Sequence, residues 1–377
     1  MIPGPSSDPD FYAPDHRLTP AYAEATQLDE QGLEALCPSY IELAETNARY
    51  RDGVMLGQSA VKDVHRTYDS RTKRWIAMAR LQQDRGPYYY DLFVHEAWLT
   101  SSLQHPNIIE VHDVGVDDLG RPFFTMDLKG NTTLADMATE PQRSDLRGLL
   151  EIFIKVCHAV AYAHSCEVIH LDLKPENIQT DAFGEVIVCD WGLGKSIGQT
   201  EDGENEIPEA LRGFDNITLH SQIKGTPGYM APEQAEPGLP KDHRTDIYAL
   251  GCLLHLILTG QPVFVGTSEA ILESTLRSDV TPPRLHFPSR WIPASLEAVV
   301  MKTIARNPDE CCSSVLALKG EIHSFLGGYS TLAEKPGFFR EARLFLARNR
   351  LPATITFLAV VATRPPITRW SPRCSIT

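Results

Sequence analysis

The chain has 377 residues, an apolar share of 42% and a formal net charge of -14, enough length for one large bilobal domain or two ordinary ones with a real core. The acidic balance argues against a nucleic-acid partner, because phosphate backbones are gripped by Lys and Arg. Its eight cysteines, Cys37, Cys157, Cys166, Cys189, Cys252, Cys311, Cys312 and Cys374, include no C-x-x-C pair, which fits reduced thiols in a cytoplasmic compartment better than a disulfide scaffold or a zinc site.

Met1 to Pro20 has neither the basic start nor the apolar core of a secretory signal and reads as a flexible leader. Ala21 to Leu36 has helical composition and stops at Cys37-Pro38; with the leader it makes an N-terminal extension, residues 1–49. From Val54 to Leu81 short β-branched and apolar segments flank the polar turn Asp69 to Thr72, predicting two or three antiparallel strands. Asp91 to Gln104 has helical spacing, and Ile108 to Val116 and Pro122 to Leu128 predict two more strands around the turn Asp117 to Gly120. Beyond them the pattern is mainly helical, over Leu146 to Ser165, Arg244 to Thr259, Ala270 to Arg277, Ser295 to Ala305 and Ser313 to Leu326. The fold class is therefore α+β: a small antiparallel β lobe with one helix (residues 50–130) and a large, mainly helical lobe (131–326), with chemistry expected in the cleft between them.

Residues His170 to Asn177 place a carboxylate, an ammonium and an amide on one tight loop. Phosphoryl transfer needs such a set: Asp172 to accept the proton of an attacking hydroxyl, Lys174 to steady the phosphoryl group, Asn177 to ligate Mg²⁺. The loop resembles the catalytic loop of eukaryotic-type serine/threonine protein kinases, a family with bacterial members, in which the Lys after the Asp favours Ser or Thr acceptors. Asp190, in Cys189-Asp190-Trp191-Gly192, is similar to the family's metal-binding Asp-Phe-Gly with Trp for Phe. Gly225 to Glu233 resembles the segment that closes the activation loop and floors the peptide site, which implies a substrate-platform role for Thr226. Asp246 matches the helix-borne Asp that braces the catalytic loop. Glu96, before the turn His105-Pro106-Asn107, matches the glutamate that orients the phosphate-binding lysine.

The departures are specific. The strand Ile76 to Leu81 carries Ala79 where the family has its ATP lysine, and Arg80 faces the opposite side. The glycine-rich loop, Leu56 to Val64, has Ser59 and Lys62 at its second and third glycines. This resembles the with-no-lysine kinases, which take the nucleotide lysine from that third position, and neighbouring strands about 4.8 Å apart allow the exchange. The implied nucleotide set is then Gly57, Lys62, Ala77 and Met126, with ATP and Mg²⁺ as cofactors. Leu171 replaces an Arg that reads activation-loop phosphate, and Cys311 replaces the Arg expected to pair with Glu233, leaving that Glu to find another cation or weaken the large lobe.

From Phe338 onward the tail, within residues 327–377, holds seven Arg against one Glu and a short apolar run, Leu351 to Thr363, too short to span a bilayer. It reads either as a peripheral contact with an anionic membrane surface or as a packed helix with a basic face. The expected activity is transfer of the ATP γ-phosphate to Ser or Thr hydroxyls of proteins. A pseudokinase scaffold is the rival that Ala79, Ser59 and Cys311 favour, and a small-molecule kinase is opposed by the platform segment.

Overall fold

The computed structural model describes residues 49–59, 61–83, 87–130, 132–139, 145–196, 226–236, 239–278, 280–306, 311–334, 337–349 and 354–355. The expected helix over Ala21 to Leu36 lies outside them, as does most of the apolar run Leu351 to Thr363. The chain divides into two compact units, Met1–Met78 and Ala79–Thr377.

In the first unit β1 (Tyr50–Gln58) pairs antiparallel with β2 (Lys62–Asp69), in a register running from Tyr50 opposite Asp69 to Gln58 opposite Asp63. The register shifts between Asp52 and Met55 and again before Gly57. Gly53 sits in the first irregularity, where a Cβ would come within 2.6 Å of the Arg66 carbonyl oxygen, so the close approach of the strands there requires glycine. The turn after β2 is built by Asp69, whose carboxylate accepts the Arg71 N–H at 2.9 Å and the Arg49 guanidinium at 3.1 Å. Burial pushes this carboxyl's pKa up, but Arg49 and the backbone donors outweigh it and hold it below the usual value. The next strand, β3 (Arg74–Leu81), continues across the boundary into the second unit. On the outside of the first unit Trp75 lies under the Arg66 guanidinium, 4.2 Å from its ring, and takes the Tyr68 ring edge-on at 5.3 Å.

The second unit begins with Ala79 and Leu81, both buried, and Arg80, whose Nε is 3.9 Å from the Asp117 carboxylate. Helix α1 (Pro87–Ser102) starts earlier than the sequence pattern predicts, because Pro87 suits a first turn that needs no N–H. Strands β4 (Val111–Val116) and β5 (Pro122–Asp127) form an antiparallel pair joined at Asp117 to Gly120. Ile108 is not in β4; it makes a parallel bridge to Val188 instead.

Two helices dominate the rest. The next elements are β6 (Thr132–Thr133) and α2 (Leu134–Thr139). Helix α3 (Leu146–Ser165), capped by Asp145, matches the predicted span. Further along the chain, α4 (Pro232–Ala235) is followed by α5 (His243–Thr259), which is capped by Asp242 and ended by Gly260 at φ 69°. All residues of α5 from Thr245 to Thr259 are buried, the mark of a helix enclosed on every side. Buried Leu250, Leu253 and Ile257 each contribute roughly 1.5–3 kcal/mol. Around this core lie α6 (Ser268–Arg277), α7 (Pro283–His286), α8 (Ala294–Thr303) and α9 (Val315–Leu326).

A last helix, α10 (Phe338–Arg348), lies in the basic tail. Arg348 covers the Tyr329 ring at 3.9 Å and donates to the Gly328 carbonyl at 2.7 Å, and Arg340 meets the Glu334 carboxylate at 2.5 Å. Two of its arginines are thus used in packing, while Phe345 and Leu346 remain exposed.

Candidate active site

The loop from His170 to Asn177 follows the short strand β7 (Val168–Ile169) and ends in a 3-10 turn, Pro175–Asn177. Leu171 takes the left-handed conformation, φ 65°, which costs a non-glycine residue on the order of 1 kcal/mol or more. Asp246 holds it there: one carboxylate oxygen accepts the His170 N–H at 2.8 Å, the other the Leu171 N–H at 2.9 Å. The first oxygen also meets the His164 ring at 2.8 Å. Burial drives the Asp246 pKa up, yet His164, His170 and the backbone donor prevail and hold it below the ordinary carboxylate value.

Asp172 is the centre of the loop. One of its oxygens takes the Lys174 ammonium at 2.7 Å and the other the Thr226 hydroxyl at 2.8 Å, while Lys174 also donates to Thr226 Oγ1 at 3.1 Å. Asn177 donates its amide NH₂ to the Asp172 carbonyl at 2.9 Å, which leaves Oδ1 as the end suited to a hard cation. The Asn177 carbonyl accepts the Cys189 N–H at 2.8 Å, so the hairpin of β8 (Ile178–Thr180) and β9 (Val186–Val188) delivers Asp190 beside the loop.

Asp190 is also left-handed, φ 64°. Trp191, fully buried, packs on the His170 ring at 4.5 Å. That ring takes the Asp172 N–H on Nδ1 at 3.2 Å and meets the Cys189 carbonyl through Nε2 at 3.1 Å. A carbonyl can only accept, so Nε2 carries the proton. Glu96 reaches the same place: a Cβ on Gly192 would stand 2.9 Å from its Oε2, so only glycine lets the carboxylate lie against this backbone. Asp172, Lys174, Asn177, Asp190, Glu96 and Thr226 are therefore gathered by the second unit. Met126 lies half-buried in β5, opposite Val111.

The remaining predicted residues sit in the first unit. Gly57 is in β1, Ala77 is buried in β3, and Lys62 opens β2. Ser59 shapes the turn before Lys62, accepting the Val61 and Lys62 N–H groups on its hydroxyl at 3.3 and 3.1 Å and giving its own N–H to the Lys62 carbonyl at 2.9 Å. A serine at this glycine position thus closes the turn with its side chain. Ala79 is fully buried, and Arg80 is directed to Asp117 as strand alternation requires.

Glu233 corrects an expectation. It is only half-buried and accepts the Thr245 hydroxyl at 2.8 Å, while Cys311 turns its thiol to the Thr303 carbonyl at 3.2 Å. A hydroxyl therefore meets the carboxylate without desolvating a second charge. The sequence reading passed over Thr245, Gln234 and His164. The signal for Thr245 was its place one residue before Asp246, but nothing local distinguishes it from a core threonine.

The oxygen donors Asn177 and Asp190 suit Mg²⁺, which takes one or two protein ligands and completes its shell with water and phosphate. No cluster of three or more His, Cys, Asp or Glu able to hold a metal ion occurs among the described residues.

Residues 50–318 match the family model of the protein kinase domain. The chain is 33% identical over 289 residues to the serine/threonine-protein kinase PknD of Chlamydia caviae, covering 73% of this chain and 31% of that protein. It is 31% identical over 280 residues to PknB of Mycolicibacterium smegmatis, covering 73% of this chain and 42% of that protein. The match thus spans less than half the length of these relatives. With that model matched over residues 50–318 and these relatives above 30% identity, the chain belongs to the protein kinase family and has its two-lobed α+β fold.

Proposed function

We propose that this chain transfers the γ-phosphoryl group of ATP to Ser or Thr hydroxyls of proteins. The observation that carries the reading is the triangle of Asp172, Lys174 and Thr226, with all three distances at or below 3.1 Å. An acceptor hydroxyl entering beside Asp172 gives up its proton to the carboxylate as its oxygen bonds to phosphorus, while the bond to the ADP oxygen breaks. Lys174 neutralises charge on the equatorial oxygens, and Asn177 and Asp190 would hold Mg²⁺. When bound, the metal would supply positive charge that offsets the negative charge of the nucleotide phosphates. Lys62 would grip the nucleotide phosphates, oriented by Glu96, with Gly57, Ala77 and Met126 lining the nucleotide; the side-chain-closed turn at Ser59 and the buried, uncharged Ala79 support that assignment. The assembled acidic and basic groups argue against a pseudokinase scaffold. Labelled γ-phosphate transfer to a generic protein by the purified chain tests the reading, and equal transfer by Asp172→Asn would sink it.

For the tail we retain an anionic membrane surface as partner, supported by exposed Phe345 and Leu346 beside Arg343. No helix among the described residues is long and apolar enough to cross a membrane. Co-sedimentation with phosphatidylserine vesicles should fall in Phe345→Asp; unchanged binding removes this partner.

A further inference from the structure

The peptide unit joining Leu171 to Asp172 is held at both of its polar groups. Its N–H goes to His170 Nδ1 at 3.2 Å, and its carbonyl accepts from Gln234 Nε2 at 2.8 Å. Gln234 is buried, in the short helix α4 that follows the platform segment, and its Oε1 accepts the Ala231 N–H at 3.0 Å. The two bonds set the amide's orientation, since a flipped side chain would put oxygen against oxygen and NH₂ against N–H. The unit so clamped carries the Cα of Asp172 and follows a residue in a strained backbone conformation.

We propose that Gln234 is a positioning residue for the catalytic base, coupling the substrate platform to the angle at which Asp172 meets the acceptor hydroxyl. This rests on the kinase reading above. Asp246 sets the N–H side of Leu171 from helix α5, and Gln234 sets the carbonyl side from α4. A Leu171 carbonyl without its donor would leave the strained loop free to rotate about the peptide, swinging the Asp172 carboxylate. A shift of about 1 Å in such a group costs up to about 100-fold in rate. Gln234 touches none of Asn177, Asp190 or Lys62 in these bonds, so the effect belongs to the transfer step and not to nucleotide binding.

The test compares Gln234→Glu and Gln234→Met with wild type, using myelin basic protein as acceptor. Gln234→Glu keeps an acceptor for Ala231 but sets an oxygen against the Leu171 carbonyl; Gln234→Met keeps side-chain length without either bond. The expected result is a fall in kcat of between about 10-fold and 100-fold, with the KM for ATP and Mg²⁺-nucleotide affinity close to wild type and Tm lowered by the lost buried hydrogen bonds. Should Gln234→Glu fail to fold, Gln234→Met carries the comparison. Unchanged kcat in both variants overturns the proposal, as does a loss of kcat accompanied by an equal loss in nucleotide affinity, or a failure of both to fold, any of which makes Gln234 a packing residue. A wild-type chain that transfers no more phosphate than Asp172→Asn removes the kinase reading and this role together, and the wild-type arm distinguishes that outcome from the others.

Discussion

Thr245 donates a hydrogen bond of 2.8 Å from its hydroxyl to the Glu233 carboxylate, from the residue immediately before the Asp246 brace. The start of α5 therefore holds both the platform and the catalytic loop. Hydrogen bonds to a charged group contribute roughly 1.5–3 kcal/mol. Thr245→Val should lower stability by about that amount in denaturant titration, and Thr245→Ser should restore most of it. If valine is tolerated at full stability, Glu233 is held by other groups.

Lys62 is expected to be the nucleotide lysine. Lys62→Met should reduce transfer by roughly 100-fold or more while leaving Tm unchanged, the usual scale for losing one electrostatic contact in an active site. Ala79→Lys in the Lys62→Gly background should recover part of the activity, because it restores an ammonium on the neighbouring strand. Transfer that persists at wild-type rate in Lys62→Met would falsify the assignment.

The metal prediction concerns Asp190. Isothermal titration with ADP or ATP should show tighter binding when Mg²⁺ is added, and Asp190→Asn should remove most of that gain by taking away a charged oxygen ligand. An undiminished Mg²⁺ effect in the variant would place the metal elsewhere.

His255 makes stability depend on pH. Burial pushes its pKa down from 6.5 to about 4, against the Gln261 carbonyl that raises it, and His286 adds to the lowering. The folded ring is thus neutral where the unfolded one is charged, so the unfolded state binds the extra proton between those values. Stability from this group is full above about pH 6.5 and declines as pH falls towards 4, by up to roughly 3 kcal/mol. His255→Gln should flatten the Tm profile across that window, and an unaltered slope would assign the acid sensitivity to other groups.

The candidate loop was legible in the sequence because Asp172, Lys174 and Asn177 lie within six residues of one another, so their hydrogen bonds to one another depend on local chain geometry and not on distant partners. Helices with strong patterning, such as Leu146–Ser165, were equally plain. What escaped was held by distant partners. Ile108 has the composition of a strand residue, but its bridge goes to Val188 and not to the β5 partner that local spacing implies. Gln234 and Thr245 are ordinary polar residues until folding sets one against the Leu171 carbonyl and the other against Glu233. Cys311 misled because the absence of an arginine was visible, whereas its replacement by a hydroxyl from another helix was not.

The burial of Trp191 gives the molecule an optical reporter. Of the five tryptophans, Trp75, Trp98 and Trp291 are 43%, 64% and 79% exposed and Trp191 is 0% exposed. In a Trp370→Phe background, an aqueous collisional quencher such as iodide should extinguish the emission of the three exposed indoles and spare a blue-shifted component from Trp191. Because that indole adjoins Asp190 in the chain and lies 4.5 Å from the His170 ring, the surviving signal follows the segment beside the catalytic loop in real time, without an attached dye.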